Sequence, residues 1–168
     1  MISNEIRDSL KKTCFALNNQ EVEYLLIGGV AVGFYGFQRI SGAGYPGRPE
    51  ITHDIDFWYK PTVENYLRLV RALDELKIET KELKSLVFDS KKTYLRIPFN
   101  AFKVEFLPQI SGLTSFSECD KSATQVVLDG NRIKIISFND LLKNKEALSR
   151  DIDKRDLEEL KKNRPSKD

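Results

Sequence analysis

The segment Thr52-His53-Asp54-Ile55-Asp56-Phe57-Trp58-Tyr59 alternates polar and apolar residues, and it constrains the fold more than any other stretch of the chain. A period of two predicts a β-strand with Asp54 and Asp56 on one face and Ile55 and Phe57 on the other. Neighbouring carboxylates on a buried face repel each other and are costly to desolvate unless they are neutralised. The segment therefore predicts either a divalent cation bound by oxygen ligands or an edge strand with a solvated face.

A glycine pair follows an earlier apolar segment. Residues 22–27 are predicted to form a strand that ends at Gly28-Gly29, and residues 30–37 have the apolar spacing of a helix. This order is typical of an anion-binding turn, because glycine lets the backbone approach a phosphate and the helix N-terminus offers N–H groups. An ordinary turn is the alternative, since many turns contain glycines.

A third acidic position lies on a later alternating segment, Phe102-Lys103-Val104-Glu105-Phe106-Leu107. Phe102, Val104 and Phe106 are expected on one face of this strand, with Glu105 on the other. If this strand pairs beside the strand of Asp54 and Asp56, three carboxylates converge. Such a cluster disfavours folding and suits a divalent metal, so the combination favours the metal-site interpretation.

The remaining pattern supplies helices. Amphipathic helices are predicted over 2–19, from Pro61 to about Leu76, and in two stretches that begin near Ser137 and Arg150. Thr62 is the expected N-cap of the second of these helices. Its predicted buried stripe consists of Leu67, Val70, Leu73 and Leu76.

Two further strand signals and one long loop complete the sequence pattern. Residues 93–97 predict a short strand ended by Pro98, and residues 125–136 predict a hairpin about Asp129-Gly130. The Gly/Pro-rich residues 41–49 predict a loop, either a binding lid or an exposed insertion. Together these elements predict an α+β fold, a mixed β-sheet flanked by helices with a short helical C-terminal part.

Size and composition indicate one ordinary globular domain. The chain has 168 residues, of which 40% are hydrophobic and 31% charged, and its net charge is +2. We expect a core over 1–136 and a helical C-terminal extension of the same domain over 137–168. A charge this close to balance argues neither for nor against nucleic-acid binding.

The cysteines and apolar runs predict a cytoplasmic protein. Cys14 and Cys119 lie far apart and His53 is the only histidine, so neither a Cys/His zinc site nor a disulfide framework is expected. The N-terminal residues lack the pattern of a signal peptide. No apolar run approaches the roughly 20 residues that span a bilayer, so no membrane association is expected.

The combined motifs resemble the nucleotidyltransferase superfamily of polymerase-β-like fold. The resemblance rests on Gly28-Gly29-Val30-Ala31 leading to Tyr35-Gly36 and Arg39, on residues 52–58, on residues 61–76, and on the C-terminal pattern from Ile136 to Asp156. It covers most of residues 20–160 and extends to small bacterial nucleotidyltransferases related to abortive-infection toxins. The Gly/Pro-rich link before Thr52 is longer than in related chains, and Glu105 stands where an aspartate is common.

The resemblance implies a reaction and a set of site residues. Asp54, Asp56 and Glu105 would be catalytic and would hold two Mg²⁺ ions, with Mn²⁺ as a substitute. Gly28 and Gly29 would bind the β- and γ-phosphates of a nucleoside triphosphate, ATP being the leading candidate. A hydroxyl of a protein, an RNA or a small molecule would attack the α-phosphorus and release pyrophosphate.

The resemblance also assigns two basic residues to nucleotide binding, Arg39 and Lys145. For Lys145 the alternative is a solvated helix lysine, and for Arg39 an exposed arginine without a role. His53 lies between the acidic face and the core and is interpreted as structural.

Two other functions remain open. One is a binding module that keeps the fold without the chemistry, such as one member of a toxin–antitoxin pair. The partner of the chain is expected to be such a toxin–antitoxin partner or a second copy in a homodimer. The other is an antibiotic-modifying nucleotidyltransferase, which shares the reaction and differs in its acceptor. Transfer activity that depends on Asp54 and Asp56 would distinguish the enzymes from the binding module.

Overall fold

The computed structural model describes residues 4–36, 54–99 and 102–163. Over these residues the chain forms seven helices and six strands. In chain order they are α1 (Asn4–Asn19), β1 (Tyr24–Ile27), α2 (Gly28–Phe34), β2 (Asp54–Tyr59), α3 (Val63–Glu75), α4 (Lys81–Ser85), β3 (Leu95–Phe99), β4 (Phe102–Leu107), α5 (Phe116–Ser122), β5 (Thr124–Leu128), β6 (Asn131–Ile135), α6 (Phe138–Leu148) and α7 (Asp151–Asn163).

The six strands form one mixed sheet in the order β3-β4-β2-β1-β6-β5. The pairs β1–β2, β3–β4 and β5–β6 are antiparallel, whereas β2–β4 and β1–β6 are parallel. Each parallel pair requires a long crossover connection, and the connection from β2 to β4 includes α3 and α4. The predicted α+β class and the C-terminal helices are confirmed.

The alternation of β2 divides the sheet into two unlike faces. Phe57 and Tyr24 contact each other on one face, where the Tyr24 hydroxyl reaches Asn18 of α1. Helices α1 and α3 pack together on this side. On the opposite face Trp58 contacts Phe116 of α5, and this is also the face of Asp54 and Asp56. The first face is therefore a closed core and the second carries the acidic residues.

Asn65 ties the start of α3 to two strands. Its amide oxygen accepts from the backbone N–H of Glu23 at 2.8 Å, and its amide nitrogen donates to the carbonyls of Glu23 at 2.9 Å and Lys60 at 3.0 Å. The predicted cap is confirmed, since the Thr62 hydroxyl accepts from the Asn65 N–H at 3.2 Å. These bonds fix α3 across the adjacent ends of β1 and β2.

Three details differ from the sequence predictions. Leu67 is 46% exposed rather than part of the buried stripe of α3, whose apolar contacts fall instead on Tyr66 and Leu69. Pro98 lies inside β3 rather than ending it, which is compatible with the edge position of this strand. Helices α4 and α5 were not predicted, because each is short and has a weak apolar pattern.

Both cysteines are buried and neither forms a disulfide. Burial raises the pKa of the Cys14 thiol to about 12 and that of the Cys119 thiol to about 11. Among the described helices, none is long and apolar enough to cross a membrane.

Candidate functional site

Gly28 marks the junction at which β1 ends and α2 begins. Its φ is +69°, in the left-handed region that favours glycine. Its neighbour Ile27 pairs with Asp56 of β2, and a Cβ on Gly28 would overlap the Asp56 carboxylate oxygen Oδ2. Glycine is therefore required here both by the backbone conformation and by the close approach of the acidic side chain.

Asp54 and Asp56 share one face of β2, as predicted. Asp54 is exposed and Asp56 is half-buried, whereas Ile55 and Phe57 are fully buried on the opposite face. The strand therefore has one apolar side in the core and one acidic side at the site.

Glu105 lies directly beside Asp56, because β4 pairs with β2 in parallel and the register joins these two residues. The conditional prediction that the two acidic strands are neighbours is confirmed. The pKa of Asp56 is raised to about 7, first by burial and then by the negative charges of Glu105 and Asp54. A hydrogen bond with Glu105 also raises the pKa of Asp56, whereas the positive charge of Lys145 lowers it. The site thus concentrates negative charge that the fold compensates only in part.

Arg96 of β3 contacts the same acidic cluster from the other side of Glu105. The antiparallel register pairs Arg96 with Glu105, and Arg96 Nε lies 2.6 Å from Glu105 Oε1. The Arg96 side chain is 57% exposed and that of Glu105 13% exposed. Arg96 was not predicted from the sequence, because only the β3–β4 register places it opposite Glu105.

Tyr94 precedes β3 and contacts Arg96. Its hydroxyl lies 3.3 Å from Arg96 Nε, and the guanidinium carbon lies 5.9 Å from the centroid of its ring. Tyr94 therefore helps to hold the guanidinium over the open face of the β3–β4 edge.

The carboxylates alone do not form a finished metal site. Within residues 4–36, 54–99 and 102–163, no group of three or more His, Cys, Asp or Glu side chains is placed to hold a metal ion. One oxygen of Glu105 is bonded to Arg96, and Asp54 lies at the exposed start of β2. The donor set nevertheless has the chemistry of a magnesium or calcium site, since carboxylate oxygens are the ligands these ions prefer.

Lys145 lies in a buried ionic cluster between α6 and α7. Its side chain is 1% exposed, and Nζ lies 2.9 Å from Asp153 Oδ1 and 2.9 Å from Asp156 Oδ2. Arg150 Nε lies 2.6 Å from the second oxygen of Asp153. The alternative interpretation of Lys145 as a solvated lysine is wrong, because its side chain and those of both acidic partners are buried.

The ionic cluster also acts on the acidic site. The charge of Lys145 lowers the pKa of Asp56, and the charge of Asp56 contributes to raising the pKa of Arg150. The α6–α7 hairpin therefore places its cations within electrostatic reach of β2. The assignment of Lys145 to nucleotide binding stays a prediction.

Three predicted features lie outside the described residues, namely Arg39, His53 and the Gly/Pro-rich loop 41–49. Gly29 is among the described residues, as the second residue of α2. Ile27, which caps α2, makes no side-chain bond to the backbone N–H groups of the first turn.

Comparison with known proteins supports the fold. No family model matches the chain, and no curated protein matches its sequence. The structure is similar to a crystal structure from Thermotoga maritima that is provisionally named a nucleotidyltransferase, with a TM-score of 0.59 and 19% identity. The match covers 98% of this chain and 97% of that chain. The chain therefore has a nucleotidyltransferase-like fold over nearly its whole length.

Proposed function

We propose, with the nucleotidyltransferase-like fold as the premise, that this protein is a metal-dependent nucleotidyltransferase. It would move a nucleoside monophosphate from a nucleoside triphosphate to a hydroxyl acceptor and release pyrophosphate. The observation that carries the proposal is the pairing of Asp56 with Glu105 in adjacent parallel strands, beside the glycine that begins α2. A fold gains nothing in stability from placing two acids together in a half-buried position, so a function that uses their charge explains them better.

The donor chemistry supports a divalent cation at these residues. Asp54, Asp56 and Glu105 supply oxygen ligands only. The pKa of Asp56 is raised first by burial and then by the negative charges of Glu105 and Asp54, and a bound cation would offset both effects. Bound Mg²⁺ would neutralise triphosphate charge and acidify an acceptor hydroxyl. Two of the nearby cations are already paired, Arg96 with Glu105, and Lys145 with acids of α7.

The chain itself would bind and orient the substrates. The Asp56 carboxylate fills the space that a Cβ on Gly28 would need, so the acidic side chain lies against the start of α2. The N–H groups at the start of this helix suit a phosphate. Glu105 would assist as general base and accept the proton of the acceptor hydroxyl once substrate is bound. Most of the rate acceleration would come from position and charge.

We also propose a range of acceptors and a preferred nucleotide for this reaction. A protein, an RNA or a small molecule such as an antibiotic is compatible with the open face beside β3 and β4. Among the nucleotides ATP is the leading candidate. A relation to abortive-infection toxins would favour a macromolecular acceptor in a toxin–antitoxin context.

A second candidate is a binding module that keeps the fold without the chemistry. One observation favours it, namely the ion pair that joins Glu105 to Arg96 in place of a third metal ligand. This candidate predicts neither metal-dependent binding of nucleotide nor transfer.

The test follows label from the α-phosphate of each of the four ribonucleoside triphosphates. The protein is incubated with Mg²⁺ or Mn²⁺ and a cell extract, and the double variant Asp54→Asn/Asp56→Asn is compared with it. We expect the double variant to lose at least about 99% of transfer, since both carboxylates act on the reacting phosphates. Asp151→Asn is the matched control, because Asp151 is fully exposed at the start of α7.

The outcomes separate the two candidates. Label on a macromolecule or small molecule that requires Asp54 and Asp56 supports the transferase and identifies its acceptor class. Equal transfer by wild type and the double variant contradicts it. Absence of both transfer and metal-dependent nucleotide binding favours the binding module.

A further inference from the structure

We propose that Arg96 is a built-in counter-ion of the acidic site, which competes with a divalent cation for Glu105. It would be a positioning residue that sets how readily the site takes up metal. The inference rests on the proposed function, because it assumes that Asp54, Asp56 and Glu105 form a cation site.

The first observation is that β3 and β4 fix the contact. Arg96 and Glu105 are direct cross-strand partners in an antiparallel pair, and the 2.6 Å contact joins a guanidinium nitrogen to a carboxylate oxygen. Such charge-assisted bonds are among the stronger polar contacts in proteins. Glu105 is largely shielded from water, so this bond is screened less than one between two exposed side chains.

The second observation is how the other nearby cations are placed. Lys145 and Arg150 both contact Asp153 of α7, so much of their charge is balanced within the α6–α7 hairpin. Arg96 instead contacts one of the site acids itself. Of these three cations, Arg96 is therefore the one whose bond must be weakened if Glu105 is to coordinate metal.

The third observation is that Arg96 has room to leave. More than half of its side chain is exposed, and its other contact is with Tyr94, which is itself exposed. Displacement of the guanidinium would open no cavity in the core. Arg96 can thus give up Glu105 at low structural cost, as a competing counter-ion must.

Competition of this kind makes a quantitative prediction. Removing the guanidinium frees a carboxylate oxygen and removes a positive charge close to the cation. We expect Arg96→Gln to raise the affinity for Mn²⁺ by about tenfold, with Arg96→Lys in between because lysine keeps the charge but loses the planar contact.

The test measures Mn²⁺ binding to the whole protein without nucleotide, by electron paramagnetic resonance of unbound Mn²⁺. The variants are Arg96→Gln, Arg96→Lys, Glu105→Gln and the double variant Arg96→Gln/Glu105→Gln. Arg7→Gln is the charge-matched control, since Arg7 makes an exposed ion pair with Asp129 in the β5–β6 turn. Thermal unfolding of each variant verifies that it is folded.

The proposal is supported if Arg96→Gln binds Mn²⁺ more tightly than wild type and this gain disappears in the Glu105→Gln background. Arg7→Gln should bind Mn²⁺ as wild type does. Unchanged or weaker binding by Arg96→Gln overturns it, as does an equal gain in the Glu105→Gln background or in Arg7→Gln. If wild-type Mn²⁺ binding is absent, or survives in Asp54→Asn/Asp56→Asn, the proposed cation site fails and this inference fails with it. Site-dependent binding without an Arg96 effect overturns this inference alone.

Discussion

At the scale of single residues, the site depends on one missing side chain. Gly28 combines a left-handed backbone with direct contact to Asp56, so its replacement has two separable consequences. The conformational cost is shared by other left-handed glycines, whereas the overlap with the carboxylate is particular to this position. The fold and the acidic site are therefore coupled through the backbone of a single residue.

Gly28→Ala should destabilise the protein by about 2–4 kcal/mol, and it should weaken Mn²⁺ binding by displacing the Asp56 carboxylate. Urea unfolding and Mn²⁺ titration measure the two effects. Gly130→Ala is the matched control, because its φ is +83° and a Cβ there would meet no described atom within 4 Å. It should cost only about 1–2 kcal/mol and leave Mn²⁺ binding unchanged. Equal losses for both variants would contradict the role assigned to Gly28.

The raised pKa of Asp56 makes a second prediction at this scale. Its pKa rises from 3.8 to about 7 on folding, so the folded state holds a proton that the unfolded state releases. The stabilisation is fully present below about pH 4, decreases as the pH rises, and is lost above about pH 7. This stabilisation amounts to about 4 kcal/mol.

Asp56→Asn should remove this pH dependence. The test is urea unfolding of metal-free wild type and Asp56→Asn between pH 4 and pH 8. The variant should gain stability relative to wild type as the pH rises through this window. A difference in unfolding free energy between the two proteins that stays constant with pH would contradict the prediction. Comparing the two proteins cancels the opposite contributions of carboxylates with lowered pKa, such as Asp129 and Asp153.

At the scale of elements, the α6–α7 hairpin is held by an ionic cluster rather than by apolar contacts alone. Lys145 is enclosed by Asp153 and Asp156, and all three side chains are fully buried. Lys145→Met should therefore cost about 3–5 kcal/mol, because it leaves two buried carboxylates without their shared cation. Calorimetric unfolding of the variant measures the loss.

Lys143→Met is the control for this prediction. Lys143 lies on the same helix, is 62% exposed, and forms a longer contact of 3.4 Å with Asp140. Lys143→Met should lower the free energy of unfolding by less than about 1 kcal/mol. A similar small loss for Lys145→Met would show that the buried cluster contributes little to the hairpin.

Which elements could be predicted from sequence depends on how local their signals are. The β5–β6 hairpin could be predicted because Asp129 and Gly130 both adopt positive φ, as this dipeptide favours. The acidic strand could be predicted because its alternation is complete within a few residues. Lys145 could not be placed, since its burial depends on acids that lie one helix further along the chain.

The candidate site shows the same limit. Asp54, Asp56 and Gly28 carry local signals, and Glu105 could be added only on the condition that two strands are neighbours. Arg96 carries no such signal. Its role depends on the register of an edge hairpin, which a single sequence does not fix. Contacts between paired strands therefore cannot be predicted from a single sequence when the register is unknown.

At the scale of the whole molecule, one sheet joins segments from both ends of the chain. Its central strands β1 and β2 contact the closed core on one face and the acidic site on the other. We therefore expect the core and the C-terminal helices to unfold together, as parts of one domain.

Trp58 provides the measurement, because it is the only tryptophan and lies buried against Phe116. Its fluorescence reports on β2, and far-ultraviolet circular dichroism reports mostly on the helices. Both signals should give the same urea midpoint. Two separated midpoints would show that the C-terminal helices unfold independently of the sheet.

The parallel pairing of β1 with β6 has a consequence for synthesis of the protein. Leu26 of the central strand pairs with Ile135, so one edge of β1 has no strand partner until the ribosome has released the residues of β6. During translation β1 can pair with β2, but its other edge stays open to incorrect partners. We conclude that β1, the strand that ends just before the site glycine, gains its second strand partner only after β6 has been synthesised.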